Sequence, residues 1–324
     1  MDPGDNYFHG GQATKLTIPC YELSSTHLNK SQLWIFKYRK GMSSLVQNIS
    51  DTARWVAVFR AEESERPDAV FHDPFARKLA GEKGEQIADA IGFGRDNSWS
   101  FVARTFLFDE FIMKHVREGY DMVINLAAGL DARPYRMDLP SSLQWVEVDL
   151  PGILEEKEKV LNNETPRCHL TRIRLDLADQ KARIELFKKL DRKATRILVM
   201  TEGLIIYLTS TQVASFASDL SSQKNFKRWM FDMVSPALLK MIQERMGPAL
   251  GGSGAVFQFA PEEGEEFFLQ YGWKILESRS GLKTAASLNR LNEQMLQAAA
   301  IPEPEGRRDQ YPWTGVCLFE NTNK

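Results

Sequence analysis

The sequence predicts an α/β fold: a seven-stranded, mostly parallel, Rossmann-like sheet with helices on both faces and a helical N-terminal cover. Three observations predict it. After Gly119, short apolar runs alternate with helical stretches, the pattern of parallel strands joined by crossover helices. A mainly helical region, 51–118, precedes them. One run, Val123-Ile124-Asn125-Leu126, passes directly into a small-residue turn, Ala127-Ala128-Gly129. In open α/β sheets, ligands approach the backbone at such a strand end.

Taken in order, residues 1–47 mix Gly, Thr, Ser and Lys with isolated aromatics and show no period; they form an extension, either flexible or a lid. Residues 48–324 read as a single domain, with a helical cover over 48–118 and a core over 119–324. Asp51-Thr52 caps a helix whose Trp55, Val56, Val58 and Phe59 are its apolar faces, ending near Arg66-Pro67. Asp73-Pro74 starts a second helix, because proline fits the first turn. A third, over 98–118, carries Phe101, Val102, Phe106, Phe108, Phe111, Ile112 and Val116. The expected strands are 122–126, 143–148, 171–175, 197–201, 228–233, 273–277 and 316–320. Two long intervals, 235–270 and 281–313, are expected to be insertions that cover a substrate at the rim of the sheet.

Composition narrows the function classes. A chain of 324 residues, 43% hydrophobic and 26% charged, suits one large globular domain. The formal net charge is −2 and no Lys/Arg stripe is interleaved with aromatics, so nucleic acid is not an expected partner. No basic leader precedes an apolar stretch and no 18 apolar residues run together, so a membrane is not expected either. Cys20, Cys168 and Cys317 are few, odd in number and far apart, which fits a reducing, cytoplasmic compartment. His9, His27, His72, His115 and His169 show no ligand spacing, and no metal site is expected.

The chemistry gathers at the strand ends. A dinucleotide needs G-x-G-x-x-G to bring amides onto a pyrophosphate, whereas Gly129 is followed by Leu130, Asp131, Ala132 and Arg133. A carboxylate at Asp131 would repel a diphosphate, so a phosphate-free nucleoside such as S-adenosylmethionine fits better. Twenty positions beyond Gly129, Asp149 ends the next strand; it either accepts ribose hydroxyls or caps the helix starting near Pro151. Asp176 and Leu177 end the third strand, placed to accept from an adenine amino group and to pack on its ring; an N-cap is the other reading of this Asp. Glu202 and Gly203 end the fourth, where a carboxylate can hold the ligand's ammonium. Tyr207 lies within reach of the transfer site. Helix capping and core packing are the alternatives for Glu202 and Tyr207.

These segments together resemble the leucine carboxyl methyltransferase family, in particular its bacterial O-methyltransferase branch that includes polyketide carboxyl methyltransferases. The likeness rests on ordered motifs: Asp51-Thr52-Ala53 through Arg60-Ala61-Glu62, Asp73-Pro74-Phe75-Ala76, Ala103-Arg104-Thr105, Asn125 through Arg136, Glu147-Val148-Asp149-Leu150-Pro151, and Glu202-Gly203-Leu204 to Tyr207-Leu208. Ala132 stands where many members have Thr. The resemblance implies the class I methyltransferase form of the fold and S-adenosyl-L-methionine as cofactor. It implies that Arg104 pairs with the cofactor carboxylate, that Ala127, Ala128 and Gly129 contact its methionine part, and that Asp149 with Leu150 holds ribose. Asp176 and Leu177 would hold adenine, and Glu202 with Gly203 the methionine amine.

A sulfonium methyl is transferred by in-line displacement, so the protein must align nucleophile, methyl and sulfur and exclude water. A carboxylate acceptor is already ionised at neutral pH and needs only positioning; Arg133 and Tyr207 are the expected positioning groups. No histidine falls in these motifs to serve as the base a hydroxyl acceptor would want. The expected activity is therefore O-methylation of a small molecule, at a carboxylate or else a hydroxyl. A protein C-terminal carboxylate is the alternative acceptor, and a nicotinamide-dependent oxidoreductase the alternative class.

Overall fold

The core of the protein is a sheet of seven strands in the order β3-β2-β1-β4-β5-β7-β6. The computed structural model describes residue 46, 50–90, 97–250, 256–303 and 309–323, the side chains of 246–250 excepted. The extension expected over 1–47, Val46 aside, lies outside the described residues, as do Cys20, His9 and His27. The described residues all fall in one compact unit.

In chain order the cover comprises α1 (Ser50–Ser64), α2 (Ala76–Ala90) and α3 (Ser98–Arg117). The core follows as β1 (Met122–Leu126), α4 (Arg133–Arg136), β2 (Gln144–Asp149), α5 (Pro151–Val160), β3 (His169–Arg174), α6 (Gln180–Asp191), β4 (Ile197–Thr201), α7 (Ser210–Ser221) and β5 (Phe226–Val234). The last elements are α8 (Pro236–Leu250), β6 (Trp273–Ser280), α9 (Gly281–Ser287), α10 (Glu293–Ala300) and β7 (Thr314–Asn321). Each expected strand is present within a few residues of its expected ends. The first five run parallel, and β7 pairs antiparallel with both β5 and β6.

Strands β1 and β4 are buried at every residue, as central strands covered on both faces must be. Their alternating side chains feed two cores. Met122, Ile124 and Leu126 meet Phe187, Phe216, Trp229 and Phe231 on one face, while Val123, Leu198 and Met230 meet Leu107, Phe108 and Phe111 of α3 on the other. Phe231 stacks on Phe319 with ring centroids 4.9 Å apart, which locks β5 to β7. Local chemistry sets the helix starts. Thr209 and Gln212 form a reciprocal capping box for α7, and Asp179 accepts from the Ala182 amide to cap α6. Helix α2 begins at Ala76, two residues past Pro74, and kinks at Gly81, whose φ is 61°.

The two long intervals behave differently. From the first, Leu238 and Ile242 of α8 and Phe257 wall a large cavity. In the second, none of the described residues lines that cavity: α9 packs on α3, and Arg290 donates to both carboxylate oxygens of Glu63, at 2.9 and 2.8 Å. The Arg290 side chain is drawn to the acids Glu63 and Asp68, so the interval fastens the outer end of α1.

Candidate functional site

The strand order reverses between β1 and β4, since the chain moves outward through β2 and β3 and then returns to β4 on the other side of β1. At such a switch point the loops leaving the strands part and open a crevice at their carboxyl ends. A cavity of about 770 Å³ lies there. Its walls include Arg104, Ala127, Ala128, Gly129, Arg133, Asp149, Leu150, Asp176, Leu177, Glu202, Gly203 and Tyr207. Every site residue expected from the sequence thus borders one cavity.

The turn after β1 forms its floor. The amides of Ala127 and Ala128 both point at the Val148 carbonyl, at 2.8 and 3.3 Å. The chain then turns through left-handed backbone at Ala127 (φ 58°) and Gly129 (φ 46°). A non-glycine residue in that region is uncommon and costs free energy, and it is found where a binding loop is held in one shape. A Cβ at Gly129 would lie 3.2 Å from that of Ala53 on α1, so glycine lets the cover approach the turn.

Asp149 closes this turn against β2. Its Oδ2 accepts from the Gly129 amide at 2.6 Å and its Oδ1 from the Leu150 amide at 2.7 Å. Helix α5 takes Leu150 as its N-cap residue and has no side-chain cap, so the capping alternative for Asp149 is not realised. Burial pushes this carboxyl above its ordinary value despite the two amide bonds. Asp176 is exposed, and its Oδ1 accepts from the Ala178 amide at 2.9 Å. Next to it, Arg183 donates to the Leu177 carbonyl at 2.6 Å and pairs with Asp219, with its guanidinium over the Phe216 ring.

Glu202 and Arg133 lie at the centre of a continuous chain of charges. Arg104 Nε donates to Glu202 Oε1 at 3.0 Å and its Nη1 to Asp232 Oδ2 at 3.0 Å. Arg133 Nη1 donates to Glu202 Oε2 at 2.8 Å and to Asp131 Oδ2 at 2.9 Å, and its Nε to Asp109 Oδ1 at 2.6 Å. From Asp109 the chain continues through Arg136 to Asp73, which pairs with Arg60 at 2.9 Å. Burial is the largest single influence on Glu202 and Asp131 and would raise both, but the cations together outweigh it, Arg133 with Arg104 at Glu202 and Arg133 with Lys157, Arg136 and Arg60 at Asp131, and both carboxyls are held below their ordinary values.

Arg133 is 2% exposed and its three nitrogens face Asp109, Asp131, Glu202 and the Thr105 carbonyl. The sequence suggested that it reads the acceptor's carboxylate; the structure sets it under the site, committed to three carboxylates of the protein. Tyr207 lies further out, 3.4 Å from Thr52 Oγ1 and in ring contact with Phe257. Burial raises its phenol above the ordinary value, so it remains a hydroxyl at neutral pH.

Sequence reasoning missed Asp232, Asp109, Arg60 and Arg183. A signal existed for Asp232, a lone acid inside the apolar run Trp229-Met230-Phe231-Asp232-Met233. Its Oδ1 accepts from the Gly203 amide at 2.6 Å, fixing a turn with φ 67° at that glycine. Gly203→Ala is therefore expected to cost about 1–2 kcal/mol, because a side chain there meets only ordinary contact, 3.5 Å from Arg104, and the strain is in the backbone. Urea unfolding measures this; a midpoint unchanged from the parent would refute it. Among the described residues no cluster of His, Cys, Asp and Glu could hold a metal ion, and no helix is long and apolar enough to cross a membrane.

The sheet order, the crevice at its switch point and the acids at successive strand ends define the class I methyltransferase fold. A solved DUF574-family protein from Streptomyces avermitilis has the same architecture, with a TM-score of 0.54 at 12% identity over 82% of this chain and 96% of that one. The chain belongs to the leucine carboxyl methyltransferase family, whose model matches residues 53–220. Similar proteins include one from Rhodococcus jostii named as an S-adenosyl-L-methionine-dependent methyltransferase, 37% identical over 173 residues. That match spans 51% of this chain and 58% of the relative, less than two thirds of its length. One of the same name from Mycobacteroides abscessus is 27% identical over 76% of this chain and 89% of its own.

Proposed function

We propose that this chain is an S-adenosyl-L-methionine-dependent O-methyltransferase acting on a small molecule, at a carboxylate or a hydroxyl oxygen. The observation that carries the reading is the single cavity in which the left-handed Ala127–Gly129 turn meets acids from β2, β3, β4 and β5. The donor set suits a nucleoside with an amino-acid tail: Asp149 at the end of β2 for ribose hydroxyls with Leu150 beside it, Asp176 and Leu177 for adenine, and Gly203 with Glu202 for an ammonium. Arg104 approaches from the cover, with Nη2 directed to no protein acceptor among the described residues, and a guanidinium edge suits a carboxylate. Membership of the family and the names of the relatives support the same cofactor.

When bound, the cofactor supplies a methyl group on a positively charged sulfur. The chain's part is alignment and exclusion of water. Trp55, Phe101, Leu238, Ile242 and Phe257 close the far side of the cavity with apolar surface, which displaces solvent from the line of attack. Tyr207 offers a hydroxyl proton to the acceptor. We assign Arg133 a positioning role in place of direct contact: it holds Glu202 and Asp131, and through them the β1 and β4 loops.

Calorimetry is expected to show micromolar binding of S-adenosylmethionine, and no binding at all, or tighter binding of NAD, sinks the reading. With labelled cofactor and an extract of its own cells, the product label is expected to be released by mild base, as from a methyl ester. A base-stable label identifies an ether and hence a hydroxyl acceptor.

A further inference from the structure

The buried charge chain described above contains four guanidiniums, of Arg60, Arg104, Arg133 and Arg136, against five carboxylates. Most of its carboxylates lie between two guanidiniums or face one at close range on the protein side. Asp232 is the terminal member at the cavity. Its one charged partner, Arg104, is shared with Glu202, and its side chain is 14% exposed, toward the cavity it lines. At the end of β2, Asp149 has two backbone amides as its hydrogen-bond partners among the described residues. The remaining cavity cation, Arg183, is neutralised by Asp219. The walls therefore carry an excess of negative charge, and at Glu202, Asp131 and Asp232 the carboxylates are mostly buried, where charge is poorly screened and costly.

We propose that this excess carboxylate, at Asp232, selects a cationic adenosyl ligand over its neutral counterpart. The site would thus hold a sulfonium, or an ammonium analogue of it, more tightly than the thioether left after transfer. The inference rests on the cofactor assignment made under the proposed function. The ammonium and carboxylate of a methionine tail cancel, so the charge on sulfur decides whether the bound ligand balances the site. In transfer, an acceptor oxygen lone pair forms the new C–O bond as the C–S bond breaks, and its electron pair stays on sulfur. The sulfur becomes neutral, the excess charge at Asp232 is uncovered, and the product is held less tightly than the reactant.

The test is calorimetry of the full chain with three probes: S-adenosylmethionine, the ammonium analogue sinefungin and S-adenosylhomocysteine. Both cations are expected to bind about tenfold or more tightly than S-adenosylhomocysteine. In Asp232→Asn, which can still accept from the Gly203 amide, that ratio is expected to fall toward one, chiefly through weaker binding of the cations, while Asp232→Glu retains it. S-adenosylhomocysteine binding as tightly as the cations to the parent protein overturns the proposal, whether or not the variants fold. So does a ratio unchanged in a folded Asp232→Asn. If none of the three probes binds, the cofactor assignment itself fails, a distinct result.

Discussion

Arg133→Met is expected to lower the unfolding free energy by about 3–5 kcal/mol, the range for removing one partner of a buried ion pair and leaving charge behind. The side chain is among the largest fully buried ones, and methionine fills much of its volume, so the loss is electrostatic rather than a cavity. Asp109, Asp131 and Glu202 would then keep only the weaker support of neighbouring cations, Arg104 at Glu202, Arg136 at Asp109 and the more distant Lys157 at Asp131. Arg133→Lys keeps the charge but cannot fork to three carboxylates, and its loss should fall between the parent and Arg133→Met. Urea unfolding, followed by the midpoint and slope, provides the measurement. A loss under about 1 kcal/mol, the range of exposed pairs, would mean that the network contributes little to stability.

The second large effect is expected at Asp149. Asp149→Ala removes an acceptor from the Gly129 and Leu150 amides and leaves any ribose hydroxyls at that end of β2 unpaired. Cofactor affinity should fall by about 1–3 kcal/mol, a factor of roughly 5 to 150, with a much smaller change in stability because both amides are near the cavity and can take water. Asp149→Asn keeps an acceptor for only one of the two amides and should bind with intermediate affinity. Unchanged affinity in Asp149→Ala removes the residue from the cofactor's contacts.

The sheet was legible because its signal is local. Each strand is a short apolar run, and the alternation within Met122–Leu126 that feeds two cores is visible in five residues. Ala127–Gly129, Asp149, Leu150, Asp176, Leu177, Glu202 and Gly203 were legible for a similar reason, since they lie at or just past strand ends and the fold brings strand ends together; Arg104, inside α3, came from the family resemblance. What connects these residues was not legible. Arg104 meets Glu202 across 98 positions and Asp232 across 128, and no spacing rule links such residues. A guanidinium near a reaction site suits an acceptor carboxylate as well as it suits Asp109, Asp131 and Glu202, and only the fold shows that the protein's own acids surround Arg133. Nor do the length of 281–313 and its position at the rim reveal that Arg290 will seek Glu63.

Strand β7 lies inside the sheet, between β5 and β6, and pairs Trp229 with Phe319, ninety positions later. During synthesis, β5 must therefore wait with one backbone edge open until nearly all of the intervening chain has emerged, a long-range closure of the kind that slows folding. Until then Phe231 lacks the ring of Phe319 and the edge beside it is a template for pairing with other chains. A ribosome stalled before Thr314 would thus present a nearly finished crevice on an aggregation-prone sheet.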